Sequence, residues 1–509
     1  MKNPSLYWTS VTSKHIAHLS LLKYFPESFL SHCRKQQRSE AFIFLEYPMM
    51  ARPTSTVLFL LLYSLSLTNS LPAKHHKLIV MLIDGFRWDY LNNPQLKLKG
   101  FPSILKMGVK AEYLEPVYPS LSYPNINSFA TGLYPENHGF VDNMLWDKKT
   151  NTFFEMIPAM NSSEPIWWQE AEPIWITAQK SGLKSALYWW AGCEVKIHGY
   201  HPQICERHRY DPPTEEGKLD MMQRVDDIVE MFKPSKFLSY DRLDLAMMYY
   251  AAVDWAGHYK GVNSTELKQS IYLIDEVLDY MVKALEKAKL SNEVNIMILS
   301  DHGMADVSNS TFISLEKYSP SIKYQVNAGP IISLVPEEGK GEKLYRDLKT
   351  DNISGLHVYR RRDIPESFHT KNASRLGPIV LECDQAYFVK ALSNPDKRVG
   401  DITYYQYVGE HGYSPNVSTD MRGIFLATGP DFRSGITTKP VQIIDLYNIM
   451  CHILKIEALP NNGTWDHVKS MMRTSTDGPF RSHAPAFTAC IVLIAVLMLS
   501  SSFILRTFI

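Results

Sequence analysis

Lys77-Leu78-Ile79-Val80-Met81-Leu82-Ile83-Asp84-Gly85 is the stretch that decides the fold class. Leu78 to Ile83 is apolar without alternation, so both faces of the strand it forms are buried, as in a parallel sheet covered by helices on each side. The run stops on a carboxylate and a glycine, which delivers Asp84 to the sheet's C-terminal edge. The same pattern recurs twice: Asp244 to Tyr250 precedes Asp254, and Val294 to Leu299 precedes Ser300-Asp301-His302. Between them, Leu267 to Lys289 carries Leu267, Ile271, Ile274, Val277, Leu278, Met281 and Leu285 at helical spacing. Strands alternating with helices predict an α/β domain with a mostly parallel central sheet flanked by helices. Its ligands should gather beyond the strand C-termini. Residues 332–389 read differently, with shorter segments, the cluster Arg360-Arg361-Arg362 and turn signals at Pro365 and Pro378, and are expected to be a small inserted α+β lobe. Gly423 to Ala427 returns to the main sheet, and Val441 to Leu454 is expected to be the last core helix.

The 509 residues carry 53 basic and 53 acidic side chains and are 45% hydrophobic, the balance of a globular protein with a substantial core. No extended basic tract points to nucleic acid, and none is expected as a partner. Two long apolar runs lie near the ends. Val57 to Leu67 follows Met49-Met50-Ala51-Arg52 and precedes Thr68-Asn69-Ser70, the order of a secretory signal peptide. Residues 49–70 are read as that signal, and 1–48 as an upstream extension foreign to the native protein, because a leader starts at its own methionine; a signal-anchor helix is the alternative. Ala484 to Leu505 follows small polar residues Thr474 to Gly478 and a short spacer, which reads as a GPI-attachment propeptide over 475–509. A single-pass anchor ending at Arg506 is its rival. The catalytic domain is then 71–474, held by a lipid anchor in the outer leaflet on the extracellular side of the plasma membrane. Seven sequons, at Asn161, Asn263, Asn309, Asn352, Asn372, Asn416 and Asn462, fit that compartment. Cys193 and Cys205 enclose a short loop and are the natural disulfide, while the pairing of Cys383 and Cys451 stays open.

Five local clusters place carboxylate, imidazole or hydroxyl at the expected strand ends: Asp84, Ser122, Asp254 with His258, Asp301 with His302, and His411. Each alone is a weak signal, since an Asp after a strand commonly caps a helix. Together with Asn143 they resemble the ectonucleotide pyrophosphatase/phosphodiesterase family, which is alkaline-phosphatase-like in fold. The motifs are Ile-Asp-Gly-Phe-Arg from Ile83, Tyr-Pro-Ser-Leu-Ser-Tyr-Pro-Asn from Tyr118, Thr-Gly-Leu-Tyr-Pro-Glu-Asn-His-Gly from Thr131, Asp-x-x-Gly-His from Asp254, Ser-Asp-His-Gly-Met from Ser300 and His-Gly-Tyr from His411. They run in family order from about Leu78 to about Leu459. The resemblance implies two Zn2+ ions per chain, one held by Asp254, His258 and His411, the other by Asp84, Asp301, His302 and the Ser122 oxygen. It implies Ser122 as the nucleophile and Asn143 as a catalytic donor to the phosphoryl oxygens. Mixed Asp and His ligands suit zinc better than magnesium, and two metals can clamp both the attacking and leaving oxygens of an in-line displacement.

Within the family, Asn-Met-Leu-Trp-Asp from Asn143, Gly-Cys-Glu-Val-Lys-Ile from Gly192 and Leu-Pro-Asn-Asn-Gly-Thr-Trp from Leu459 resemble the GPI-anchored, choline-specific glycerophosphodiester phosphodiesterases. That branch implies a choline-containing phosphodiester or lysophospholipid substrate, with release of phosphocholine. Sphingomyelin phosphodiesterases and nucleotide pyrophosphatases of the family are the alternatives, and an inactive cell-surface binding protein is the rival outside enzymes. Asp84, Ser122, Asn143, Asp254 and His411 are expected to touch the phosphoryl group. Quaternary ammonium recognition needs aromatic faces and a carboxylate; Tyr123, Tyr188 and Tyr249 are the candidate cage, with Trp167-Trp168 and Trp189-Trp190 nearby. Oligomeric state, a homodimer included, is left open.

Overall fold

The opening stretch forms strand β1 (Lys77–Ile83), buried along its whole length, in a computed structural model that describes residues 75–156, 160–233, 242–399 and 407–474. Seven further strands complete its sheet: β2 (Val109–Ala111), β3 (Ser185–Trp190), β4 (Ile204–Arg207), β5 (Leu245–Tyr250), β6 (Val294–Leu299), β7 (Phe425–Thr428) and β8 (Ile436–Thr438). Their order is β8-β2-β7-β6-β1-β5-β3-β4. β1 lies between β5 and β6 and runs parallel to both, so the three expected strand ends are neighbours in space. Only β7 opposes the rest, pairing antiparallel with β6 and β2.

Six helices bear on the site and the layers: α1 (Gly100–Met107), α2 (Ser122–Thr131), α3 (Glu215–Phe232), α4 (Ala252–Lys260), α5 (Thr265–Lys287) and α6 (Leu446–Leu454). α5 gathers α1, α3 and α4 into one layer, while α6 packs on β1 and against α2. The sheet is thereby covered on both faces, which is why β1, β3, β5 and β6 need no polar alternation. α5 starts two residues before the periodic pattern because the Ser264 side chain caps it, accepting from Leu267 N at 3.0 Å. The last core helix begins at Leu446 rather than Val441, since Val441–Gln442 pairs as a short strand with Leu114–Glu115.

The lobe is wider than the expected 332–389. It holds a five-stranded sheet in the order Leu356–Arg360, Ile379–Cys383, Ile331–Pro336, Ile322–Val326, Arg398–Val399. Leu334, Leu344, Leu348 and Leu381 fill a separate small core there. The boundary at 332 cut into a strand whose antiparallel partner, Ile322–Val326, starts the lobe. Cys193 and Cys205 form the expected disulfide, whereas Cys383 and Cys451 are both buried and free. Asn263, Asn309, Asn352, Asn372, Asn416 and Asn462 are all exposed. Among the described residues, no helix is long and apolar enough to cross a membrane. The 1–48 extension, the 49–70 signal, the 475–509 tail and the Asn161 side chain lie outside the described residues.

Candidate active site

Asp84 leaves β1 directly into Gly85, whose φ is +67° and whose missing side chain matters: a Cβ there would meet Asp254 Oδ1 at 2.7 Å and Asp254 Cα at 2.9 Å. A glycine after the first carboxylate is what lets the second approach. Asp254 sits in the first turn of α4 with His258 one turn on, Asp301 and His302 follow β6, and Ser122 opens α2. The ligand atoms of Asp84, Asp301 and His302 lie within 4.8 Å of one another, and so do those of Asp254, His258 and His411. The two sets adjoin, because the rings of His302 and His411 stack with centroids 3.6 Å apart.

Every imidazole in these sets is oriented through its Nδ1. His258 donates to Gly409 O at 2.8 Å, His302 to Gly303 O at 2.8 Å and His411 to Ser120 O at 2.9 Å. That leaves each Nε2 with a lone pair facing the site, the arrangement of a metal-ligating histidine with its outer support in place. His258 Nε2 and His411 Nε2 are only 3.1 Å apart; two lone pairs at that distance repel unless a cation or a proton lies between them. Asp84 Oδ1, Asp254 Oδ1 and Asp301 Oδ2 are buried with no hydrogen-bond partner. Burial raises all three carboxyl pKa values, and for Asp84 the charges of Asp301 and Asp254 push the same way. Burial also lowers His302 and His411, whereas His258 is raised because Asp254 and Glu410 outweigh its burial. Three carboxylates crowded in low dielectric beside three imidazoles are relieved by taking up protons or by cations bound between them. The donor chemistry, three Asp and three His, fits zinc.

Ser122 Oγ lies 3.2 Å from His302 Nε2. Of the N–H groups in the first turn of α2, Pro124 has none and that of Tyr123 donates to Asn143 Oδ1 at 2.9 Å. The Ser122 amide is thus left for an anion at the helix N-terminus. Because Oδ1 of Asn143 is engaged, its Nδ2 is the atom it can offer a substrate oxygen.

A cavity of about 340 Å³ connects these groups, lined among others by Asp84, Ser122, Tyr123, Asn143, Asp254, His258 and His411. Of the expected cage, Tyr123 and Tyr249 line it. Tyr249 does more than offer a face, since its hydroxyl donates to Asp84 Oδ2. Tyr188 does not line it: it is buried inside β3, its hydroxyl near Asp227, Glu206 and Arg224. Trp167 and Trp168 are also core residues, with Trp168 backing Tyr123 at 6.3 Å between rings. Glu194 is held by Ser163 and Arg207. Tyr210, Tyr259, Tyr407, Asn327 and Glu410 line the cavity and were not foreseen. Tyr210 donates to Asp254 Oδ2 at 2.6 Å, supporting the second set as Tyr249 supports the first. Only Glu410 had a signal available, its place beside His411.

The family model described as type I phosphodiesterase / nucleotide pyrophosphatase matches residues 78–414, which include every residue of both donor sets and Ser122. The chain belongs to that family. Human ectonucleotide pyrophosphatase/phosphodiesterase family member 5 is 35% identical over 413 residues, covering 81% of each chain. Mouse family member 7 is 31% identical over 79% of this chain and 89% of its own. The bovine bis(5'-adenosyl)-triphosphatase is 31% identical over 82% and 87%. A solved structure of murine member 5, an inactive variant in complex with AMP, superposes with a TM-score of 0.69 at 33% identity, covering 78% of this chain and all of that one. As a member of the type I phosphodiesterase family, the chain is a phosphodiesterase or pyrophosphatase by class.

Proposed function

We propose that this chain is a two-zinc phosphodiesterase that releases phosphocholine from choline-containing glycerophosphodiesters such as glycerophosphocholine and lysophosphatidylcholine, with Ser122 as nucleophile. The observation that carries the hydrolytic reading is the Ser122 hydroxyl beside two adjoining sets of buried carboxylate and imidazole donors, in which one oxygen of each of Asp84, Asp254 and Asp301 has no hydrogen-bond partner. When bound by Asp254, His258, His411 and by Asp84, Asp301, His302, zinc supplies Lewis acidity that lowers the pKa of the serine hydroxyl and of water and offsets charge on the reacting oxygens. Ser122 Oγ forms a bond to phosphorus as the P–O bond to the glycerol oxygen breaks, and glycerol or its acyl ester leaves with a proton. Asn143 Nδ2 and the Ser122 amide donate to the phosphoryl oxygens as their charge grows. Water then displaces Ser122 Oγ, which regains its proton, and phosphocholine departs.

The head-group assignment is supported by tyrosine faces at 123, 210, 259 and 407, with the Glu410 carboxylate, around one cavity. A second reading, a nucleotide ester stacked between tyrosines, is favoured by the AMP held by the murine relative. The test is a substrate panel on zinc-loaded protein: glycerophosphocholine, lysophosphatidylcholine, sphingomyelin, glycerophosphoethanolamine and a nitrophenyl nucleotide ester. A primary ammonium loses water hydrogen bonds that aromatic faces do not replace, so kcat/KM for the choline ester should exceed the ethanolamine ester about tenfold or more. Equal values for all esters would overturn choline recognition, and a dominant nucleotide ester would establish the second reading. The same proposal places the enzyme on the cell surface through residues 475–509; phosphatidylinositol-specific phospholipase C should release it from intact cells, and resistance to release would favour a membrane-spanning tail.

A further inference from the structure

The lobe reaches the cavity through one turn, residues 327–330, which joins the antiparallel strands Ile322–Val326 and Ile331–Pro336. Asn327, Ala328, Pro330 and Ile331 form cavity wall. Asn327 has φ +69°, the left-handed conformation that asparagine tolerates better than most residues, and both ends of its amide are engaged. Its Oδ1 accepts from Ala328 N at 2.8 Å, and its Nδ2 donates to Asp142 Oδ1 at 2.5 Å, across 185 positions of sequence. Asp142 is buried, also accepts from Met144 N at 3.3 Å, and immediately precedes Asn143. Asn143 in turn accepts from the Tyr123 amide at the start of the nucleophile helix. Two consecutive side chains therefore bridge in two directions, Asp142 to the lobe and Asn143 to α2.

We propose that Asp142 and Asn327 are positioning residues: their hydrogen bond clamps the lobe's turn to the 139–144 loop and so holds the Asn143 amide at the phosphoryl site beside Ser122. The proposal rests on the reading of Ser122 and Asn143 given above. Neither residue belongs to the metal sets, and neither is asked to touch the reacting atoms. A donor displaced by about 1 Å loses much of its effect on a transition state while leaving the ground state largely bound, so the clamp acts on kcat. Burial pushes the Asp142 carboxyl up to about 8, so near neutral pH it is mostly the uncharged acid. Asparagine, a neutral side chain of the same shape with the same acceptor oxygen, should then replace it.

The experiment is a double-mutant cycle on zinc-loaded enzyme with kcat, KM, zinc content and Tm measured for each variant. Asn327→Gly removes the amide without straining the left-handed backbone, and Asp142→Ala removes its acceptor. Each should lower kcat about tenfold or more, with KM changed less than about threefold and zinc content unchanged. The double variant should be no worse than the poorer single one, because the two act as one unit, and Asp142→Asn should restore most of kcat. If Asp142→Ala does not fold, Asn327→Gly and Asp142→Asn carry the test. Unchanged kcat in Asn327→Gly, a change in KM alone, independent multiplication of the two losses, or Asp142→Asn as poor as Asp142→Ala would each overturn the clamp. Ser122→Ala measured alongside separates the two claims: if it stays active, the active-site reading itself fails, whereas an inactive Ser122→Ala with an uncoupled cycle sinks only the clamp.

Discussion

The strand-end side of the cavity and its loop side differ in how their side chains are held. Asp84 and Asp301 stand one and two residues beyond β1 and β6, and Asp254 in the first turn after β5, so three paired strands set their spacing. Each histidine is further locked by a backbone carbonyl. On the loop side, Tyr210, Tyr407 and the 327–330 turn come from three separate segments, joined by Tyr259 from the last turn of α4, and Tyr210 and Tyr259 are more than a third exposed. The donor residues are thus mounted on the rigid sheet, while much of the facing wall comes from parts that can vary without disturbing it.

The sharpest way to break this comparison is at the sheet. Ser122→Ala should reduce turnover roughly a thousandfold or more while leaving zinc content nearly intact, as three protein donors remain in its set; a substantially active variant would remove Ser122 from the chemistry. Stripping metal with a chelator should abolish activity and also lower Tm by several degrees, because the buried carboxylates of Asp84, Asp254 and Asp301 are left to repel. Zinc should restore both and magnesium should not. A Tm indifferent to chelation would mean the donor sets hold no structural cation. Tyr249→Phe removes a hydroxyl donor from the Asp84 carboxylate and should weaken metal affinity about tenfold, measured by competition with a chromophoric chelator; unchanged affinity would reduce Tyr249 to cavity wall. Tyr188→Phe is the control on the far side of the comparison: Tyr188 is buried and does not line the cavity, so kcat/KM for the choline ester should change less than about twofold. A larger drop would put Tyr188 back in the recognition of the head group.

Most of the strand-end side was legible in the linear chain. An unalternating apolar run followed by Asp is a local pattern, and a sheet buried on both faces enforces it residue by residue, so β1, β5 and β6 and their carboxylates could be read within a residue or so. The Asp254 and His258 pair was legible for the same reason, four residues on one helical turn. Periodicity and short fixed spacing therefore accounted for β1, β5 and β6, the carboxylates beyond them and the Asp254–His258 pair, whereas the grouping into two donor sets with His411, and Ser122 as expected nucleophile, were legible only through the resemblance to the family. Long-range packing decided which tyrosines line the cavity. Tyr188 looked like a cage residue and is buried away from the cavity, while Tyr210 reaches Asp254 from 44 positions away and Asn327 reaches Asp142 from 185. Such pairings are set by how loops and a lobe close over a finished sheet, and nothing in the local chain encodes that distance.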